Sequence, residues 1–464
     1  MNVFSHLFGR RSHSFSPWRR EIGATVPLAV PFALTELAYM SIMTTDVIMM
    51  GWLGSDMLAA GSLALRLNFF FVMIPFGVLG AVAPIISQHL GARRFRMVRR
   101  AARQGLWLAV ITSLPCLAVS WNAEAILVLL GQDPVLAKAG QSYLRYMIIG
   151  LIPAMWMYVL AEFMAAHARP RPVLVVTVIA IGLNALANYA LMFGAFGFPA
   201  FGLDGAGIST AVVDIFMFAA LLFFVLQDRR LRRYRILGRL WRADVEQMIE
   251  MVRIGTPIAL TNLSEDGMYL VMTLLMGLLG TAALAAHTVA GQSCAIFFMV
   301  SGGLTLAATV RVGRATGAGD HVDARRAGWT AIGLAACFAV IPAMLFWFYG
   351  DLVIGIFLDP ALPENAEAVT LAISLLAIAA VFQLADGMQV TAMGALRGLK
   401  DTRGPMLVTV IVYWGLAVPV SLLLVFVFDR GSEAIWICLA AAFCLVAALL
   451  VRRFDKQTRT NPMT

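Results

Sequence analysis

Twelve long apolar stretches constrain the fold of this chain more than any other feature. A helix that crosses a lipid bilayer needs about 20 mostly apolar residues. Such stretches occur at about 24–50, 57–84, 104–121, 143–166, 172–195, 205–226, 252–278, 284–310, 328–350, 368–396, 405–428 and 433–451. They lack the strict alternation of a membrane β-strand. The sequence therefore predicts an all-α integral membrane protein with twelve transmembrane helices.

The composition excludes a water-soluble protein. Hydrophobic residues make up 61% of the chain and charged residues 13%, and the mean hydropathy is +0.83. Soluble domains carry about 25% charged residues, so this chain has too little charge to cover a soluble surface of its size. Phosphate-loop and hydrolase motifs such as GxxxxGK[ST], HExxH and GxSxG are absent. We therefore expect neither an enzyme nor a bound cofactor.

Lys and Arg residues are distributed asymmetrically about the predicted spans. With the N-terminus in the cytoplasm, all but four of the 35 Lys and Arg residues fall in cytoplasmic segments. The exceptions are Lys138, Arg145, Arg430 and Arg66, the last of which lies inside the second span and is available to pair with an acid of the first. Because positive loops stay in the cytoplasm, we expect both termini there. The net charge of +9 then needs no nucleic-acid partner.

The chain contains an internal repeat. GWLGSDMLAAGSLA at 51–64 matches GLLGTAALAAHTVA at 277–290, a shift of 226 residues, and the same shift pairs Pro31 with Pro257. Parallel repeats of six spans are a transporter architecture, with the substrate path between the halves. The predicted organisation is a cytoplasmic N-terminus (1–23), an N-terminal six-helix bundle (24–226), a cytoplasmic linker (227–251), a C-terminal six-helix bundle (252–451) and a cytoplasmic C-terminus (452–464).

Carboxylates inside the predicted spans are the main functional candidates, because each costs about 2.5–3.5 kcal/mol to place in a bilayer. They are Glu36, Asp46, Glu265 with its neighbour Asp266, and Asp386. The repeat matches proline and glycine positions but none of these acids. We expect Glu265 and Asp386 to share a cavity that binds Na⁺ or a proton. Asp46 is expected to act in the other half. A structural or membrane-rim role is the alternative for each acid.

Polar and soft side chains near these acids are further candidates. Asn184 and Asn188 lie four residues apart and so share one helix face. Their amides can bind Asp46 or line a polar cavity, and plain helix–helix hydrogen bonding is the alternative. Met268 and Met272 belong to a stripe that suits flat organic cations, with ordinary packing as the alternative.

Several motifs resemble those of the multidrug and toxic compound extrusion (MATE) family over nearly the whole chain. They are TTDVIMMGWLG (44–54), QHLGA (88–92), NALANY (184–189), GTPIALTNLSE (255–265), LAAHTVA (284–290) and, most specifically, LADGMQVTAMGALRGLKDTRGP (384–405). The pattern is most similar to NorM-type bacterial members, which carry one acid on the first helix and one each on the seventh and tenth.

The resemblance implies a V-shaped antiporter that exports organic cations and amphipathic drugs in exchange for Na⁺ or H⁺. It would alternate between inward- and outward-open states in a bacterial inner membrane, and we expect a monomer. By the same resemblance, Glu265 and Asp386 form the cation site, which is the possible Na⁺ site. Asp46, Asn184 and Asn188 form the N-terminal cavity, and Pro31 is the residue at which the first helix bends.

Two positions depart from the family pattern. Phe382 stands where some members have a tyrosine hydroxyl, which weakens the case for Na⁺ over H⁺. Glu36 is an additional acid. Two alternative functions stay open, an exporter of one metabolite and a flippase for lipid-linked precursors. A flippase should have several Arg or Lys residues in its central cavity, where this sequence offers Arg66.

Overall fold

A computed structural model describes residues 17–238, 241–360, 362–428 and 430–459. These residues form twelve long helices and no β-strand. The helices are α1 (Pro17–Trp52), α2 (Ser55–Leu79, continued by Val82–Gly91), α3 (Phe95–Trp121), α4 (Pro134–Met147, a 3₁₀ turn at Ile148–Gly150, and Leu151–Ala166), α5 (Arg171–Phe193), α6 (Leu203–Gln227), α7 (Val245–Leu278), α8 (Thr281–Gly317), α9 (His321–Phe348), α10 (Ala366–Gly398), α11 (Arg403–Val412, a π turn at Tyr413–Ala417, and Val418–Phe426) and α12 (Ser432–Arg459).

Each predicted span corresponds to one of these helices. In the described residues, 11 helices are long and apolar enough to cross a membrane. The helix outside that set is α7, which contains the polar run Thr261–Asp266. Several helices are longer than predicted because their polar ends pack on protein. Arg311 and Arg314 near the end of α8, for example, bind α1 and the end of α4.

We call the two halves of the chain, α1–α6 and α7–α12, its two lobes. One large hydrophobic core lies wholly in the second lobe, with α10 packed between α8, α9 and α12. A second core belongs to the first lobe and also includes Met251, Ile254 and Ile258 from the start of α7. Each lobe therefore has its own core, and the first turns of α7 pack against the opposite lobe.

The lobes meet through glycine contacts that repeat with the sequence shift. A Cβ on Gly77 of α2 would lie 2.3 Å from the Cα of Ala259 on α7. At Gly303 of α8, the equivalent position in the repeat, an added Cβ would lie 2.5 Å from the backbone N of Ala33 on α1. Both distances are too short for a side chain, so only glycine fits at these two positions. The repeat seen in the sequence is therefore also present in the packing between the lobes.

All of these contacts lie toward one end of the molecule, where α1 begins and α12 ends. We call it the basic end, since its loops at 92–94, 228–238, 241–244 and 399–402 together carry many Arg and Lys residues. Gln88 Nε2 donates to Gly398 O at 2.8 Å there, across the lobes. At the opposite end, Trp52 of α1 and Leu278 of α7 are 66% and 70% exposed. The lobes are thus packed together at the basic end.

Gly317→Ala should weaken this closure. The added Cβ would lie 2.0 Å from Gln88 O, and overpacking of this kind costs about 1–3 kcal/mol. In a background without the natural cysteines, spin labels at the exposed positions Arg94 and Val322, on opposite lobes, should move to longer distances. Gly291→Ala on the same helix is the control, because nothing lies within 4 Å of its Cβ position. Identical distance distributions in both variants would contradict the role of this crossing.

Candidate functional site

Asp46 lies at the centre of a polar cluster inside the first lobe. Its side chain is buried, and Oδ1 accepts hydrogen bonds from Asn184 Nδ2 at 2.9 Å and from Asn188 Nδ2 at 2.6 Å. Both asparagines are fully buried. Two amide donors stabilise the ionised form of a carboxylate, since hydrogen bonds to a charged group are the strong ones. The structure therefore brings together the three residues that the sequence grouped.

This cluster also contains polar atoms that lack partners. Asn188 Oδ1 is buried and has no hydrogen bond. Tyr143 Oη of α4 is likewise buried and unbonded, although Thr210 lies nearby. Buried polar atoms are nearly always paired, so each of these oxygens needs an explanation.

Glu265 and Asp386 are neighbours inside the second lobe. Their charges interact directly, and the hydroxyl-bearing Tyr269 and Tyr413 both lie within the field of the pair. Asp386 is 3% exposed, and its Oδ1 has no hydrogen-bond partner. Tyr413 Oη donates to Gln389 Oε1 at 2.9 Å. Two acids thus share an interior site with several neutral oxygens around them.

Phe382 packs into an aromatic cluster beside this acidic pair. Its ring centroid lies 4.6 Å from that of Phe443 and 6.0 Å from that of Trp436. The side chain is 2% exposed. Phe382 therefore fills space and contributes no oxygen, so any hydroxyl ligand in this lobe has to come from a residue such as Tyr413.

The methionine stripe does not line an open surface. Met268 and Met272 are fully buried in the core of the second lobe. The alternative of ordinary packing describes them, because both side chains lie within that core. In this conformation they are closed off from a bound cation.

Glu36 and Asp266 face accessible space. A Cβ on Gly302 of α8 would lie 3.9 Å from Glu36 Cγ, so this acid of α1 points at the other lobe. Asp266 on α7 is exposed, and the charge of Arg66 on α2 acts on it. The charged neighbour of Arg66 is therefore on α7, in place of the acid of the first span that the sequence suggested. Helix α1 continues through Pro31 as one helix.

Two further carboxylates escaped the sequence analysis, although they carry the same signal. Glu162 of α4 is buried and faces the backbone N–H of Ala83 at the break in α2. The charge of Arg397 on α10 acts on both Glu162 and Glu265. Asp214 of α6 lies beside Asp46. For both residues, the signal that could have identified them was an acidic side chain within a predicted transmembrane span.

The described residues contain no group of three or more His, Cys, Asp or Glu side chains that could hold a metal ion. Each lobe instead offers a pair of neighbouring carboxylates with amide or hydroxyl oxygens beside them. Such sets suit a proton or a weakly held Na⁺, because hard cations prefer oxygen ligands. No Lys or Arg forms an ion pair with Asp46, Glu265 or Asp386 in the part of the chain that is described.

Asn188→Leu should destabilise the protein by about 1.5–3 kcal/mol, the usual contribution of a hydrogen bond to a charged group. In an Asp46→Leu background the same substitution should have a much smaller effect, since the charge is gone. Thermal unfolding in detergent measures both. Asn122→Leu is the control, because Asn122 is exposed and its amide donates to the neutral Ala118 O. Additive effects of the two cluster substitutions would show that Asp46 and Asn188 are not coupled.

Comparison with known proteins places this geometry in a family. A family model described as MatE matches residues 31–190 and again residues 257–423. The second match begins 226 residues after the first, which confirms the internal repeat. Together the two matches cover well over half of the chain.

Full-length relatives agree. The chain is 42% identical over 447 residues to the "Probable multidrug resistance protein NorM" of Mesorhizobium japonicum, and the alignment covers 96% of each protein. It is 40% identical over 441 residues to the protein of the same name from Brucella suis, which covers 95% of this chain and 94% of that protein.

Solved structures share the fold at lower identity. The outward-facing conformation of a multidrug resistance MATE family transporter of the MOP superfamily matches with a TM-score of 0.85 and 18% identity, over 96% of this chain and 97% of that one. The eukaryotic MATE transporter AtDTX14 matches with a TM-score of 0.81 and 21% identity, over 95% and 98%. With the family match and the full-length relatives, these similarities show that this chain belongs to the MatE family of membrane transporters.

Proposed function

We propose that this protein is a secondary active antiporter that exports organic cations and amphipathic drugs in exchange for Na⁺ or H⁺. The observation that carries the proposal is the acidic pair Glu265 and Asp386 inside one lobe, to which no Lys or Arg of the described residues forms an ion pair. A cationic drug and a coupling ion can each neutralise such a pair. The names of the relatives, which describe multidrug resistance, point the same way.

The mechanism is competition between two kinds of positive charge. A pair of carboxylates in a membrane interior is unfavourable, so the pair favours whichever state supplies a cation. If coupling ion and drug favour different arrangements of the lobes, binding of one weakens binding of the other by the same factor. An inward ion gradient then drives drug outward. Asp46 with Asn184 and Asn188 contributes a second charged site in the opposite lobe.

The two lobes supply the moving parts. Their shared contacts lie between the middle of the helices and the basic end, and the positive-inside rule assigns that end to the cytoplasm. The present arrangement is then closed toward the cytoplasm, with Glu36 and Asp266 facing the space between the lobes. Separation of the glycine contacts, with closure at the opposite end, would expose the same space to the cytoplasm. We assign the protein to the bacterial inner membrane, as a monomer.

Glu265→Gln and Asp386→Asn should each abolish ethidium efflux from cells that lack their own pumps, because neither variant can hold a coupling ion in the pair. Efflux is followed by fluorescence while the Na⁺ and proton gradients are varied separately. Glu367→Gln is the matched control, since Glu367 is an exposed acid at the start of α10. Normal efflux by both pair variants, from protein present in the membrane, would refute the proposal.

The proposed orientation makes a separate prediction. A fluorescent reporter fused after Arg459 should be bright and an alkaline phosphatase fused there inactive, because both report on compartment. Fusions in the exposed loop at Gln132, at the opposite end of the molecule, should give the reverse pattern. Phosphatase activity at Arg459 would place the basic end outside.

A further inference from the structure

Asp214 is an interior acid to which no part of the proposed ion pathway has been assigned. It is the twelfth residue of α6, a helix of 25 residues, and a long apolar run follows it. Its side chain is partly buried. An ionisable residue in the middle of a membrane helix is costly, and it normally faces a cavity or a partner.

The packing of α6 against α4 fixes where Asp214 points. A Cβ on Gly150 would lie 2.7 Å from Ala211 Cα and 3.0 Å from Asp214 Oδ2. One turn earlier, a Cβ on Gly207 would lie 2.5 Å from Tyr143 O. These two close approaches press α6 onto α4, one at the 3₁₀ turn Ile148–Gly150 and the other in the helix just before it. The Asp214 carboxylate therefore faces the interior of the lobe and not the lipid.

The surroundings of Asp214 contain one other charge, and it is negative. The charge of Asp46 on α1 acts on Asp214, and the Asp214 carboxylate acts in turn on Tyr39 of α1 and Tyr143 of α4. Helix α5 contributes the neutral amides of Asn184 and Asn188, and α6 itself contributes Thr210. In the described residues no Lys or Arg pairs with Asp214. The first lobe thus holds two neighbouring carboxylates without a counter-charge.

Asp46 and Asp214 differ in the hydrogen bonds that they accept. Asp46 accepts from two amides, whereas Asp214 has no hydrogen bond within the described part of the chain. The buried oxygens of Asn188 (Oδ1) and Tyr143 (Oη) are also unbonded. Unpaired oxygens next to two carboxylates are the arrangement that a small cation or a bound proton would complete.

We propose that Asp214 is a second ion-binding carboxyl of the first lobe, which holds a monovalent cation, either H⁺ or Na⁺, beside Asp46. This inference rests on the proposed antiport function and extends it, since ions would then be carried in both lobes. The site is separate from Glu265 and Asp386, which lie in the other lobe. Binding at Asp214 removes the repulsion between the two acids, so its occupancy also alters the environment of Asp46.

Infrared difference spectroscopy of the purified full-length protein tests the site without requiring transport. One arm changes the pH in the absence of Na⁺, and the other adds Na⁺ at constant pH. The carboxyl bands that respond are then compared between wild type and Asp214→Asn. We expect one carboxyl contribution to be lost in the variant, in the pH arm if the ion is H⁺ and in the Na⁺ arm if it is Na⁺.

Controls separate this site from its surroundings. Asp204→Asn, at the start of the same helix, should leave the spectra unchanged, because Asp204 is already bonded to Ser142 at 2.9 Å. The loss in Asp214→Asn should add to that in Asp386→Asn, since the two sites lie in different lobes. Asp214→Glu should retain an ion-responsive band, and it serves as the test if Asp214→Asn does not fold.

Spectra of Asp214→Asn that superimpose on wild type in both arms would overturn the proposal, as would an Asp214→Glu protein with no responsive band beyond those of Asp46 and the second lobe. These outcomes are independent of drug export. Absence of ethidium efflux from the wild-type protein would instead refute the antiport function and leave the ion-binding result standing on its own.

Discussion

Close contact between glycine-bearing helices is the constraint on which this arrangement depends. Gly77 and Gly303 let the two lobes approach backbone to backbone, and Gly91 and Gly317 do the same nearer the basic end. A side chain at any of these positions would hold the lobes apart. Contacts of this kind are either made or lost, so they suit two discrete arrangements better than a graded movement.

The interface contacts follow the internal repeat, whereas the positions of the interior acids do not. Both lobes have equivalent glycines at their interface, because each lobe packs against the equivalent surface of the other. The acids differ: the first lobe holds Asp46 within an amide cluster, and the second holds Glu265 and Asp386 among tyrosines and aromatic rings. A repeated scaffold therefore supports two chemically different interiors. A substrate that is itself asymmetric does not need identical binding groups in the two lobes.

Much of this was predictable from the sequence, because the physical signals were local or periodic. Apolar length predicted the helices, the 226-residue shift predicted the repeated halves, and the spacing of Asn184 and Asn188 predicted a shared helix face, for which Asp46 was one of the expected partners. Packing across helices was not predictable. The methionines of α7 turned inward to the core, and the neighbour of Arg66 proved to be on α7, since both depend on how distant helices rotate against each other.

Asp214 and Glu162 show where the limit lies. Their position within apolar spans was as visible in the sequence as that of Asp386, yet their neighbours were not. Glu162 matters because it faces the break in α2 and is held electrostatically by Arg397 of the other lobe. Asp214 matters because two glycine contacts turn it toward Asp46. The sequence shows that an acid in a membrane helix is energetically unfavourable. Only the packing of the helices shows whether that acid binds an ion, lies at a helix break or contacts the partner lobe.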